Sequence, residues 1–329
     1  MKNLGKNTLN PRQKDWLDLI ESVMRDPNLG LMRPVVEKEL LHYEMFAALD
    51  KEGLLKGLTF QGGTCLRLCY QSYRYSEDLD FAGGPDFDAA AFEKIKTCLE
   101  DHITAKFGLE TTVKAPGHLG ATPDHVPVSK WTLAVVTSPG NRSVAKQKIK
   151  LEVAAVKAHS SITVPTIPRY EAFGGYRPVL VNAETREEIM SDKLIAFPTS
   201  LYDGQGRPQE KDGARIRFRD LWDLSWLAST GVKPNYDFVA KKTEDYGLGN
   251  FRELVENARR RIPEIVNEPH FLGEMSRFID ASTVESTLKN QGYRNFMSNT
   301  VVTFYDEVLI HLGASRDIKP TRKMGPHSL

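Results

Sequence analysis

Apolar positions recur at helical spacing along three early stretches of the chain. The first follows Asn10-Pro11, an N-cap and first-turn pair, and carries Trp16, Leu17, Leu19, Ile20, Val23 and Met24 before Asp26-Pro27-Asn28 ends it. The second is predicted from about Val35 to Leu49, with Glu37, Glu39 and Glu44 as its wet side. The third runs from Asp88 to Phe107, with Phe92, Ile95, Leu99 and Ile103 on one face. Between the second and third, Leu54 and Leu55 lead into a short apolar run, Leu58-Thr59-Phe60, that stops at Gly62-Gly63-Thr64.

The pattern then changes to period two. Leu109 to Lys114 alternates, Pro116 to Pro127 reads as a loop, and Trp131 to Val136 is a strand. From Lys146 to Val156, Ile149, Leu151 and Val153 alternate with Lys148, Lys150 and Glu152, which share the opposite face. Pro165, Pro168, Gly174 and Gly175 mark an irregular connection before a short strand at Pro178-Val179-Leu180-Val181. Thr185-Arg186-Glu187-Glu188 has the form of a capping box, opening a helix that Phe197-Pro198 ends. A loop follows from Tyr202 to Pro208. From Pro234 the pattern is helical: Tyr236 to Tyr246, Asn250 to Arg261, Phe271 to Ile279 and Thr283 to Leu312.

These elements predict an α+β fold. A small mixed sheet with flanking helices occupies residues 1–205, a helical domain spans 206–313, and 314–329 is a basic, proline-bearing tail expected to be disordered. Formal net charge is +1, so the chain is not a globally basic nucleic-acid binder, although local patches remain open. The run Arg259-Arg260-Arg261 is either a solvated helix end or a phosphate contact. The 3 cysteines suit a reducing compartment, and the 8 histidines form no zinc-type spacing. No apolar run approaches the ~20 residues of a membrane span, and the first residues lack a signal-peptide core, so the expected location is cytoplasmic with no membrane partner.

Candidate chemistry concentrates in FQGGTCLRLCYQSYRYSEDLDF, Phe60 to Phe81. A helix-like segment is expected over Cys65 to Gln71 and a strand start over Ser76 to Phe81. Gly62 and Gly63 allow a backbone to approach a ligand closely, and Thr64 can cap a helix or donate to a phosphate. Asp78 and Asp80 are two apart, so on a strand both point to one face. Two carboxylates there are a seat for Mg²⁺ (or Mn²⁺), which takes oxygen ligands and shares them with substrate phosphates.

Joined as strand–GGT–helix–R-x-S-E-D-L-D-F, the stretch resembles motif I of nucleotidyltransferases with the DNA polymerase β-like fold. In wording it is most similar to the AbiEii/AbiGii toxin family, with Arg67, Arg74, Ser76, Asp78 and Asp80 matching. The resemblance implies that Gly62, Gly63, Thr64, Arg67, Arg74 and Ser76 serve the nucleotide and that Asp78 and Asp80 hold the metal. Glu152, on the Lys148–Glu152 face, is the candidate third carboxylate; a salt-bridged strand surface is the other reading. Arg67 could equally brace its helix. Glu188 to Ala196 is similar to the family segment in which Lys193 is an active-site cation, with Asp192 where Glu is commoner. Arg219-Asp220-Leu221-Trp222-Asp223-Leu224 resembles its R-D-x-x-D-L motif, which favours function for Asp220 and structure for Asp223.

The expected function is therefore NTP-dependent nucleotidyl transfer, with Asp78, Asp80, Lys193 and Asp220 as catalytic residues and the NTP as substrate. The resemblance further implies a toxin of a toxin–antitoxin or phage-abortive-infection pair, with a cognate antitoxin and an RNA acceptor, tRNA being one candidate. A small-molecule nucleotidyltransferase of the antibiotic-modifying kind and a non-catalytic nucleotide-binding module are the alternatives.

Overall fold

A computed structural model describes residues 9–116, 126–141, 143–202 and 216–317. Its centre is a mixed seven-stranded sheet in the order β3-β4-β5-β2-β1-β7-β6. The strands are β1 (Thr59–Gln61), β2 (Leu79–Ala82), β3 (Thr111–Lys114), β4 (Val128–Val135), β5 (Gln147–Ala154), β6 (Ser161–Pro165) and β7 (Leu180–Glu184). β1 is antiparallel to β2 and parallel to β7, while β2 is parallel to β5. The α+β class read from the sequence is thus present.

One face of the sheet is sealed. Val113, Trp131, Leu133, Ile149, Leu151 and Val153 are buried, as the period-two pattern requires. Helices α2 (Arg33–Lys51) and α4 (Ile95–Phe107) pack beside these strands. Phe46 of α2 meets Phe60 of β1 at 4.8 Å, and Phe60 meets Phe81 of β2 at 5.2 Å. Such aromatic pairs add about 0.5–1.5 kcal/mol beyond area burial and fix the two strands that carry the glycine turn and the aspartates. Helix α1 (Pro11–Val23) starts at Asn10 with a capping box closed by Gln13, and buries Trp16 against Phe107.

Several expectations change. Glu37, Glu39 and Glu44 are buried rather than wet. Each is satisfied by a partner distant in sequence: Thr137 and Gln147 for Glu37, Arg67 for Glu39, His102 and Lys106 for Glu44. The glycine-turn helix, α3, spans Gly62–Leu68 rather than Cys65 to Gln71, and Gln71 stands at φ +65°, outside helical geometry. β2 begins at Leu79, not at Ser76. The Asp88–Phe107 segment is a 3₁₀ turn at Ala89–Phe92 followed by α4. The stretch just before the irregular connection, to which the sequence pattern assigned no element, is β6, antiparallel to β7 at the sheet edge, where a terminal proline is tolerated.

Helix α5 (Arg186–Ser200) runs through Pro198 instead of stopping there. A proline in the last turn removes only one backbone bond, and the Thr199 hydroxyl donates to the Ala196 carbonyl at 2.9 Å. Its capping box does not form. Thr185 occupies the N-cap, but its hydroxyl has no partner among the described residues, and Glu188 instead accepts from the backbone N–H groups of His159 (2.8 Å) and Ser160.

The remainder is helical: α6 (Phe218–Ser229), α7 (Tyr236–Asp245), α8 (Phe251–Ile265), α9 (Pro269–Met275), α10 (Ala281–Ser286) and α11 (Gln291–Asp317). The expected Thr283–Leu312 helix is two helices, and the second continues past Gly313 to Asp317. α5 packs against α6, α7 and α8, which joins the sheet to the helical part. The proposed boundary at residue 205 lies outside the described residues, as does most of the Tyr202–Pro208 loop and the chain after Asp317. Among the described residues no helix is long and apolar enough to cross a membrane.

Candidate active site

Gly62 opens α3 at φ +78°, where a side chain is strained. A Cβ there would stand 2.8 Å from Oδ2 of Asp80. At Gly63 a Cβ would collide with the guanidinium of Arg74 and lie 3.1 Å from the Ser76 hydroxyl. Both glycines are therefore dictated by the groups that crowd them, and the turn sits directly against the aspartates. The sheet register explains this closeness, because Gln61 of β1 is paired with Asp80 of β2.

Asp80 is also paired in register with Glu152 of β5, which in turn faces Lys130 of β4. Asp78 precedes β2 and accepts from the Lys150 backbone N–H at 3.0 Å and from its ammonium at 3.3 Å. Glu152 pairs with Lys130 at 2.7 Å. Burial pushes the Asp80 carboxyl up to about 6, aided by the like charges of Glu152 and Asp78 and opposed by Arg217 and Lys193. Asp80 is thus a buried carboxyl with two further carboxylates beside it, an arrangement that suits a divalent cation with hard oxygen ligands. Among the described residues, no three metal-ligating side chains are already gathered. Asp78 and Asp80 suffice for a cation that takes its other ligands from triphosphate and water. For Glu152 the structure provides both readings: it is the neighbour of Asp80 and the partner of Lys130.

Opposite the aspartates, α5 presents Lys193. Its ammonium meets Asp220 at 3.0 Å and Asp223 at 2.7 Å, both on α6. Asp223 also receives two hydrogen bonds from Arg74, at 2.8 and 2.6 Å. Asp220 receives one from Arg217 Nε at 2.8 Å. The result is one chain of alternating charge, Arg74–Asp223–Lys193–Asp220–Arg217, that ends facing Asp80. Burial would raise both α6 carboxyls; Arg217 and Lys193 hold Asp220 below the ordinary value, and Arg74 and Lys193 do so for Asp223. An ammonium has three donors, and two are engaged here.

Between these groups lies a cavity of about 390 Å³. Gly62, Asp80, Lys193 and Arg217 line its polar end, with Asp192 and Thr199. Ile189, Ile195, Leu248 and Tyr246 supply apolar wall. The size and the mixture match a small-molecule site with convergent polar groups.

The chain matches the model of the family described as nucleotidyl transferase AbiEii toxin, type IV toxin–antitoxin system, over residues 44–299. That span holds the glycine turn, both aspartates, Lys193 and the α6 acids. The chain belongs to the AbiEii nucleotidyltransferase toxin family. It is a nucleotidyltransferase, and the polymerase β-like class expected from motif I accords with the family. Solved structures to which the chain is similar include MenT4, a nucleotidyltransferase toxin from Mycobacterium tuberculosis, at 17% identity and TM-score 0.47 over 89% of this chain and 98% of that one. JHP933 from Helicobacter pylori is another, at 16% identity and TM-score 0.36 over 87% of this chain and 98% of that one. No curated protein matches the chain significantly in sequence.

In this AbiEii-family chain the expected nucleotide residues separate into two groups. Gly62, Gly63 and Ser76 stand at the turn, beside Asp80 and Arg74. Thr64 is buried, and its hydroxyl donates to the Asp78 carbonyl, so it ties the aspartate strand to α3 rather than facing a ligand. Arg67 is buried on Glu39 at 2.8 Å and stacks over Tyr75, the bracing alternative. Arg74 gives its charge to Asp223. Sequence reasoning assigned no role to Arg217. Its spacing of three from Asp220, at the start of a helix, was the available signal.

Proposed function

We propose that this chain transfers a nucleotide from an NTP to a hydroxyl of an RNA acceptor, with tRNA as one candidate, and that this is its toxic activity. The observation that carries the reading is that Asp80, Gly62, Lys193 and Arg217 line one nucleotide-sized cavity. Asp78 and Asp80 would hold Mg²⁺ or Mn²⁺, with Glu152 as a further candidate ligand. The ion would supply charge to the triphosphate and lower the pKa of the acceptor hydroxyl.

The chain's own residues account for the rest. The glycine turn admits phosphate oxygens where a side chain would block them. Lys193 has one donor left without a partner among the described residues and offers it to the triphosphate, while Asp220 and Asp223 fix its position. Arg217 adds a second positive charge at the same end. Tyr246 and Leu248 provide a surface for the base. A cognate antitoxin and a cytoplasmic setting complete the proposal; the three free cysteines accord with a reducing compartment.

The test is incubation with each labelled NTP, Mg²⁺ and either total RNA or a pool of small-molecule acceptors. Label recovered on RNA supports the proposal. Label recovered only on a small molecule overturns it.

A further inference from the structure

Among the described residues, the β3-β4-β5 wing buries one face and exposes lysines on the other. On the other face of the β3-β4-β5 wing, Lys114, Lys130, Lys148 and Lys150 stand together. The register fixes their neighbours: Lys114 opposes Thr132, Thr132 opposes Lys150, and Lys130 opposes Glu152, which opposes Asp80. Residues so paired project to the same face, and the Lys130–Glu152 and Lys150–Asp78 contacts accord with it. Lys114 and Lys148 are exposed and have no carboxylate partner among the described residues. Lys130 and Lys150 keep 48% of their side-chain surface open. Of the acids on this face, Asp78, Asp80 and Glu152 stand at its inner end, and Glu110, paired with Lys146 at 2.5 Å, at its outer end.

We infer that this lysine-bearing face is the docking surface for the RNA acceptor, a deepening that rests on the RNA reading proposed above. A polyanion laid across it meets four cations and then arrives, along the same face, at the aspartates. Strands spaced about 4.8 Å apart put Lys114 about 14 Å from the Asp80 strand, and Lys148 lies about 13 Å along β5 from Glu152. That span accommodates several phosphates, so the backbone is held by the lysines while the terminal hydroxyl reaches the cavity. Lysine heads on a flat sheet give charge without base readout, so the surface would bind RNA with little sequence preference. The compensated net charge of the whole chain, +1, does not conflict with this, because local patches rather than the total decide such binding.

The experiment uses the full chain and a fluorescently labelled RNA hairpin with a single-stranded 3′ end. Two double variants are compared: Lys114→Glu with Lys148→Glu on this face, and Lys51→Glu with Lys94→Glu, equal in charge change but on α2 and beside α4, the helical side of the sheet. The first should weaken RNA binding about tenfold or more near 0.1 M salt and flatten the salt dependence by about 1.4 in log–log slope. NTP affinity should be unchanged in both. Equal losses in the two variants, or unaltered RNA affinity in the first, overturn the inference. So does loss in the first variant of binding to polyglutamate with RNA affinity intact, which would mark the face as a site for an acidic protein. Transfer to a small molecule and never to RNA would instead sink the reading on which the inference rests.

Discussion

Asp223 accepts from Arg74 through both oxygens and holds Lys193 at 2.7 Å through one of them. A residue of the glycine-turn motif and a residue of α5 are thereby locked to the same buried carboxylate on α6. Removing that carboxylate leaves the buried Arg74 guanidinium with no carboxylate, only the Tyr75 carbonyl at 2.7 Å, and leaves Lys193 with Asp220 alone. Asp223→Ala is expected to cost about 3–5 kcal/mol of stability, read as a shift in denaturant midpoint with unchanged slope.

Asp220 behaves differently because its second cation, Arg217, has an exposed side chain, whereas Arg74 beside Asp223 is buried. Asp220→Asn should fold, and should lower transfer about 10²-fold by misplacing Lys193 and Arg217. Circular dichroism and a transfer assay check the split. A variant that unfolds as readily as Asp223→Ala would assign Asp220 to the scaffold alone.

The glycines give a steric prediction. Gly62→Ala combines a strained φ of +78° with a methyl 2.8 Å from an oxygen of Asp80. It should lower transfer by at least about 10²-fold while costing roughly 1–3 kcal/mol in stability. Gly84→Ala, also at positive φ but with open space around its Cβ position, should carry only the strain and leave transfer unaltered.

A second buried network fastens the helical part. Lys242 of α7 is fully buried among Glu184 (3.0 Å), Glu188 (2.9 Å) and Asp192 (2.7 Å). Burial, then Asp192, pushes the Glu184 carboxyl well above its ordinary range. Glu184→Gln, the neutral isostere, should change stability at pH 7 by no more than about 1 kcal/mol, because Glu188 and Asp192 still pair with Lys242. Lys242→Met should cost about 3–5 kcal/mol, because it strands Glu188 and Asp192. Equilibrium unfolding of both variants tests the contrast.

Motif I was legible because its chemistry is local. A strand, two glycines and two aspartates two apart lie within one short stretch, and their geometry follows from strand and turn rules. The alternation in β5 likewise placed Glu152 and the lysines on one face. What periodicity could not show was which distant cation would enter the core. Glu37, Glu39 and Glu44 fit a wet stripe by spacing, yet each meets a partner from another element. Arg67 and Arg74 looked like ligand-facing charges for the same reason, and their carboxylate partners lie on α2 and α6. β6 escaped notice because its prolines and glycines lie downstream and its edge position carries little apolar pattern.

His42 gives a pH dependence. Burial lowers its imidazole to about 4, against 6.5 for the ordinary group, and its Nδ1 has no partner among the described residues. The unfolded chain therefore binds the proton more readily. This contribution to stability is complete above pH 6.5 and is lost as pH falls toward 4, about 3 kcal/mol in all. Unfolding free energies of the parent and of His42→Gln, measured between pH 7 and 4, should converge by that amount. Parallel curves would mean that His42 is protonated in the folded chain.

The central claim is that the carboxylate beside Gly62 is the seat of nucleotidyl transfer. Its most direct measurement is label transfer from NTP, with Mg²⁺ and total RNA, by the parent chain and by Asp80→Asn. The account predicts a fall of about 10³-fold or more in a variant that remains folded. Asp80→Asn that transfers label at the parent rate would contradict it.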